Sequence, residues 1–564
     1  MANIRDRIEK WFETVTQVFY RHRYKTLLAM FLFLAILLSQ IPKITIDVST
    51  EGFLHQNDPI LMDYNAFRDQ FGRDELIIIA IRSEDVFGEA FLRKLKRLHE
   101  ELMDNVPFME DITSLVNARN TRGEADELIV EDLMQNWPET EVQREILRKR
   151  VLANPLYQNL LISADGKFTT IVIKTQTYSS AGVEIDVLKQ FDENSGTDSD
   201  PAETPNGESQ EEGRDYLTDA ENSEVVGAVN RIVDKYRRPD FQIDIAGSSA
   251  VTHFLKRSMF KDMRKFMSLA LLTIAFFLYI MFRRVTAMVF PLLIVLLSLL
   301  STIAIMAIFK APIKIPTQIL PSFLLAVSVG YSVHILALFY HHFRKHRSKE
   351  EAITYAIGHS GLAVLMTAVT TAGGLFSFST SEVAPIADLG RFAGFGVLLA
   401  MLYTIILLPA LFAIVPLKPT RWDQRAHKTT LTDKLLSAVG NIATTYPVVI
   451  LIVSAGIIAL SGAGLMMIRF SHDVLRWFPK ENSVRIATEK IDQELRGSVV
   501  LEVVVDTGQE NGLYDYDLLK RLDNTAAYLE KVHVGDIFVG KAWSLTTILK
   551  ETHRALNENR DEYY

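Results

Sequence analysis

The chain has 564 residues, of which 48% are hydrophobic and 23% charged, with a mean hydropathy of +0.13. It is too long for one compact domain and too apolar for a soluble protein of that size, so the composition implies membrane spans joined to water-exposed parts. Zero cysteines exclude disulfides, thiolate metal sites and cysteine nucleophiles. The formal charge is -8, but residues 192–224 hold twelve acidic residues against one Arg, which leaves the remainder close to neutral and points to no nucleic-acid partner.

Residues 1–25 put Ile4, Ile8, Trp11, Phe12, Val15, Val18 and Phe19 on one helical face with charges opposite. Such an amphipathic leader is expected to lie flat on the cytoplasmic membrane surface; packing on a loop of the same protein is the alternative. Residues 26–41 form a first apolar span. Its basic flank resembles that of a signal peptide, but Ile41-Pro42-Lys43 offers no small-residue cleavage site, so the span is read as uncleaved.

Residues 42–265 read as a first outer α+β domain. A strand at Leu76–Ile81, an amphipathic helix at Glu89–Leu102 and a strand at Asp111–Val116 make one βαβ unit. After a polar helix near Glu139–Leu152, a strand at Phe168–Thr175, a helix near Val225–Tyr236 and a strand at Phe241–Ala246 make a second. Between these halves, residues 192–224 are rich in Ser, Gly, Asp, Glu and Pro and are expected to be a disordered acidic insert.

Five more spans follow within residues 266–416, then a linker at 417–446, a seventh span at 447–468 and the start of a second outer domain at 469–564. Lys and Arg concentrate in the leader, at Arg283-Arg284, around Arg344 to Lys349, and from Lys418 to Lys428. If seven spans alternate, all four segments share a side. The positive-inside bias makes that side the cytoplasm, with the outer domains periplasmic.

The second outer segment repeats the first at an offset of about 425 residues: Phe53 matches Phe478, Asn57 matches Asn482, Gly72 matches Gly497 and Leu76 matches Leu501. A strand is therefore expected at Val499–Val505. A full duplication would add five more spans, so the chain reads as the N-terminal portion of a longer protein.

Several motifs then point to a family. Ala246-Gly247-Ser248, Pro316-Thr317 with Leu320-Pro321, Gly330-Tyr331-Ser332-Val333-His334, Thr370-Thr371-Ala372-Gly373-Gly374 and Pro385 to Gly390 resemble, in order and spacing, the resistance-nodulation-division (RND) superfamily, in its hydrophobe-exporter or MMPL-type branch. That resemblance implies an all-α transmembrane bundle carrying periplasmic, porter-like α+β domains of the ferredoxin-like kind. It also implies a proton-driven exporter of lipids or other hydrophobic molecules in the bacterial inner membrane, not an enzyme, with no cofactor. The expected partners are the substrate and membrane lipids, and the family plan admits a homo-oligomer and a periplasmic accessory protein. A Patched-like sensor with a sterol-sensing-like domain is the alternative, and a SecD/SecF-like export accessory fits less well.

The family carries an Asp before the Tyr of the fourth span, where this chain has Gly330, and no Asp, Glu, Lys or Arg lies at mid-depth of any span. His334 is then the remaining titratable candidate for a proton path, with a structural polar contact as the competing reading. Tyr331, Ser328, Ser332, Thr367, Thr370 and Thr371 join it as candidates; Ser298, Ser301 and Thr302 line the third span. Hydroxyl stripes of this kind serve helix packing as well as they serve a water path. Glu382, Asp388 and Arg391 at the ends of the fifth and sixth spans are candidates for coupling membrane motion to the outer domain.

No Walker A pattern or Gly-x-Ser-x-Gly elbow occurs. His342 and His346 have the spacing for a metal on a helix, but their basic neighbours, and no carboxylate before Glu350, favour positive-inside anchoring, and no metal site is expected.

Overall fold

The structure, a computed structural model, describes residues 2–124, 127–179, 216–417, 431–468, 474–535 and 537–564. It divides into two units, residues 1–45 with 262–477 and residues 46–261 with 478–564. Each is taken by itself.

The second unit is built on one sheet. Strands β1 (Leu76–Arg82), β2 (Met109–Thr113), β5 (Phe168–Thr175) and β6 (Gln242–Ala246) lie in the order β2-β5-β1-β6, while β3 (Arg119–Glu124) and β4 (Glu127–Asp132) form a separate hairpin. Neighbours in the sheet are antiparallel, with Ile79 opposite Ile171 on one side and Ile245 on the other. β1 and β2 are thus parallel with β5 between them, and β5 and β6 are parallel with β1 between them. Two βαβ units interleave, crossing over through helices α4 (Glu89–Asn105) and α6 (Asp219–Tyr236).

Strand alternation sorts the side chains. Ile77, Ile79, Ile81, Ile171, Ile173, Ile243 and Ile245 face α4 and α6 in one continuous core. Ile78, Ala80, Phe168 and Ala246 face the other way and are covered by Ala487, Ile491 and Leu495. Those three come from a helix of the second outer segment, so the two outer segments share one sheet. Around them Lys490 pairs with Asp244 at 2.6 Å and Arg82 with Glu494 at 2.8 Å. Gly247 (φ +98°) turns the chain out of β6, and a Cβ there would strike the Leu76 carbonyl oxygen.

Three expectations for this unit are corrected. Of the acidic insert, residues 192–215 lie outside the described residues, but 216–224 are ordered: Thr218 caps α6 in a capping box with Glu221, and 219–224 are its first turns. Charge alone cannot distinguish a loose acidic tract from a helix N-terminus, where acidic side chains are stabilised by the dipole. The strand expected at Val499–Val505 does not form: the segment pairs with no other strand, and Val499 and Leu501 are 87% and 86% exposed. The repeat also sits at 424 in its helices. After α5 of the first segment (Glu141–Ala153), the structural counterpart of α3 (Pro59–Phe71) is Ser483–Leu495, capped by Asn482 as Asp58 caps α3. The positive φ that ends each helix falls on Gly72 in one and on Arg496 in the other, so Gly497 follows one residue late.

In the first unit, helices α1 (Ala2–Arg21), α2 (Arg23–Leu38), α8 (Val285–Ile308), α9 (Leu320–His346), α10 (Lys349–Phe376) and α11 (Ala384–Ile414) form a bundle. Of these, all but α1 are long and apolar enough to cross a membrane, and with α7 (Ser248–Phe282) and α13 (Pro447–Leu465) they make seven such stretches among the described residues. The leader is not a free surface helix, because Phe12 and Thr16 are fully buried and a Cβ at Gly361 of α10 would press on the Phe12 ring. Trp11 and Val18 remain exposed, so only part of the apolar face meets protein. Of the linker, 418–430 lie outside the described residues. Leu431–Thr445 form α12, which precedes α13 as α1 precedes α2. With Ser483–Leu495 as α14, the remaining helices of ten residues or more among the described residues are α15 (Tyr516–Leu529) and α16 (Leu545–Leu556).

Burial sets a pH dependence in the sheet unit. His99 of α4 is buried with Ser114 Oγ 3.0 Å from its Nδ1, and desolvation lowers its pKa despite nearby acidic groups. The folded chain holds His99 neutral while the unfolded chain takes up a proton below about pH 6.5, so stability is complete above that pH and lost as it falls. Thermal scans from pH 7 to 5 should show a falling melting temperature and a smaller fall in His99→Gln. An equal fall in both would remove His99 as the cause.

Candidate functional site

The polar groups of the bundle fall into four sets. The first lies where α8, α9 and α11 meet. Ser301 Oγ and the hydroxyl of fully buried Tyr403 are 2.8 Å apart, and Ser332 and Thr404 hydroxyls are 3.5 Å apart. Ser298 and Thr302 donate back to Val295 and Ser298 carbonyls at 3.1 and 2.8 Å. Ser328 Oγ and Tyr331 Oη, one turn apart on α9, are buried without a hydrogen-bond partner, although Tyr331 lies beside Thr371. An unpaired buried hydroxyl costs about 1–3 kcal/mol unless water or a ligand meets it. The packing here is close, since a Cβ at Gly396 of α11 would press on Leu324 and Thr302.

The second set points the other way. His334 is exposed on α9, and Thr367 and Thr370 are exposed on α10, each donating to its own helix at Ala363 and Met366. The structure therefore separates the candidate residues: Ser328, Tyr331 and Ser332 face the bundle interior, Thr371 sits at its margin, and His334, Thr367 and Thr370 lie outside it. Spacing shows which residues share a helical face but not which neighbour that face meets. Tyr403 and Thr404, inside the Leu/Ile run of α11, complete the interior set; two adjacent hydroxyls in an otherwise apolar span were their signal.

The third set surrounds Asp388 in the second turn of α11. Lys314 Nζ lies 3.5 Å from one carboxylate oxygen and Arg391 3.7 Å from the other, with Lys314 and Asp388 side chains both mostly buried. Arg391 also donates to the Ser379 carbonyl at 3.3 Å. Glu382 is exposed, with no ion pair among the described residues. Lys314, in the loop before α9, takes the place Glu382 was expected to hold. A nearly buried pair is costly to break, because either partner alone would be an uncompensated charge.

The fourth set is the turn between α9 and α10. Glu351 returns over the histidines, with Oε1 3.5 Å from His342 Nε2 and 3.9 Å from His346 Nδ1. The expectation that no carboxylate approaches them therefore does not hold: Glu350 turns away to Arg21 at 2.9 Å, but its neighbour turns in.

Residues 215–450, which include α7 to α11 but not α1 and α2, match the MMPL family. That stretch of the chain is similar to the MMPL family. A membrane protein of Methanocaldococcus jannaschii is 24% identical over 378 residues, 64% of this chain and 83% of that protein. A Mycobacterium leprae protein named for transport, MmpL11, is 30% identical over 140 residues, 24% of this chain and 13% of that protein. The chain thus spans most of the archaeal relative and a small part of the mycobacterial one. Among the described residues of α9, the hydroxyls of Ser328 and Tyr331 are buried without a hydrogen-bond partner, as is that of Thr354 on α10.

The buried pair gives a stability test. Tyr403→Phe leaves Ser301 without its partner and should cost about 1–2 kcal/mol, seen as a lower melting temperature in detergent. Thr367→Val, at an exposed position, should leave it unchanged. Equal effects would show that the two hydroxyls do not differ in burial as described.

Proposed function

We propose that the protein is an MMPL-type exporter of lipid or another amphipathic molecule, seated in the cytoplasmic membrane and driven by the proton gradient. The observation that carries the reading is the MMPL match over α7 to α11, spans that hold hydroxyls and no carboxylate at mid-depth. Hydroxyls cannot store a charge, but with water they relay a proton along a chain of hydrogen bonds, and Ser328 and Tyr331 are the unspent members. His334 has no part in that chain, because it lies outside the interior. The interleaved βαβ sheet is then the ferredoxin-like, porter-like part, which offers the substrate a route past the bilayer. The Lys314–Asp388–Arg391 set at the start of α11 is the coupling element between membrane helices and that part. The substrate's chemistry follows from the family reading: an apolar body and a polar head.

Transport is tested in proteoliposomes holding a fluorescent phospholipid under an imposed pH gradient. Gradient-dependent lipid movement should fall at least about tenfold in Ser328→Ala/Tyr331→Phe and stay near wild type in His334→Gln. Movement that ignores the gradient would overturn the coupling, and loss in His334→Gln would return the proton to that imidazole.

The proposed orientation places the leader and the turn after α9 in the cytoplasm and the sheet unit outside. The cysteine-free chain makes labelling clean. A cysteine at Glu84, whose side chain is 98% exposed, should react with an impermeant maleimide in intact cells, and one at exposed Lys345 only after lysis. The reverse pattern would invert the topology.

A further inference from the structure

We propose that the turn joining α9 to α10 binds a divalent transition metal of the zinc class through His342, His346 and Glu351. The two histidines stand one helical turn apart at the end of α9, so both imidazoles leave the same face, and their rings stack 4.2 Å apart. Arg347 then takes a left-handed conformation (φ 60°), and the Ser348 hydroxyl caps α10 by accepting the Glu351 amide at 3.3 Å. That tight reversal brings Glu351, in the first turn of α10, over the histidine pair.

One nitrogen or oxygen from each residue lies within 4.8 Å of the others. Donors about 2.1 Å from a tetrahedral zinc sit about 3.4 Å apart, close to the 3.5 Å between Glu351 Oε1 and His342 Nε2. His346 and Glu351 are exposed and free to close the remaining gap by side-chain rotation. A second observation comes from His342 itself: its Nε2 is buried with no hydrogen-bond partner and faces the carboxylate beyond hydrogen-bond range. Buried polar atoms are ordinarily satisfied, and a metal would satisfy this one. Tyr355 stacks on His342 at 4.5 Å and His359 on Tyr355 at 5.7 Å, which holds the ring plane.

The donors select the ion. Two imidazoles and one carboxylate suit Zn²⁺, Co²⁺ or Ni²⁺; there are too few oxygens for Ca²⁺ or Mg²⁺ and no thiolate for Cu⁺. The basic residues of the turn are mostly engaged elsewhere. Lys349 donates to Phe412 and Val415 carbonyls at 3.1 Å, and Arg344 donates to the Tyr340 carbonyl at 3.2 Å. Lys345 and Arg347 point into solvent and weaken cation binding without blocking the ligands. A bound ion would clip the end of α9 to the start of α10, and protons would compete with it as pH falls.

The test uses the full chain in detergent, with any affinity tag removed and metal stripped by a chelator. Titration with ZnCl₂ should give one saturable site per chain. His346→Gln and Glu351→Gln should each weaken it about 100-fold, at least the effect of losing an outer-shell partner. His341→Gln, at an exposed neighbouring histidine outside the set, should leave it unchanged. Co²⁺ should give visible d–d bands that Zn²⁺ displaces. Both variants replace exposed side chains, and gel filtration confirms that they fold. Absence of saturable binding, or binding that His346→Gln and Glu351→Gln leave intact, overturns the proposal.

Discussion

Hydrocarbon supplies no hydrogen-bond partner, and that constraint orders the membrane unit. Each hydroxyl must return its proton to its own helix, pair across helices, or remain unsatisfied at a cost. Thr302, Thr404 and Ser360 take the first course, donating to carbonyls four residues back. Ser301 and Tyr403 take the second. Once those are set aside, Ser328 and Tyr331 are left over on α9, so a stripe that looks uniform in sequence separates into packing groups and available groups.

The spans and the strands β1, β2, β5 and β6 were legible because each rests on a local period, such as apolar windows long enough for a bilayer or the Ile residues of β1; the order of the sheet and the β3–β4 hairpin were not. Which neighbour each face meets was not. His334 follows Tyr331 by three residues on α9, yet one is exposed and the other buried, a difference set by where α8 and α11 pack. Lys314 could not be paired with Asp388 from sequence because the loop before α9 and the start of α11 meet only in the folded bundle. Glu351 was hidden for a similar reason: the left-handed Arg347 reverses the chain, and nothing in the local composition announces a positive φ at an arginine.

The unpaired segment 499–505 shows the same limit from the other side. Its Val-rich sequence has the propensity of β1, and its position in the repeat is that of β1. In the first copy, β1 is a strand because β5 and β6, remote in sequence, hydrogen-bond to both its edges. Propensity favours an extended chain, but pairing is what makes a strand, and among the described residues 499–505 has no partner. The neighbouring helix α14 needs no such partner. It finds its apolar contact on the far face of the first sheet, at Ala80, Phe168 and Ala246.

The two ends of α9 are held differently, and this limits how the helix can move. At its last turn the chain reverses through Arg347 and Ser348. Lys349 is tied to two carbonyls at the end of α11, and Glu350 to Arg21 of α1, so four elements meet at one joint. At its first turn α9 follows a loop held by the Ile313 amide, which donates to the Thr45 carbonyl at 2.9 Å, and by the nearly buried Lys314–Asp388 pair at 3.5 Å. The helix that carries the unpaired hydroxyls is thus fixed at both ends, at one by carbonyls and an exposed pair and at the other by a nearly buried ion pair.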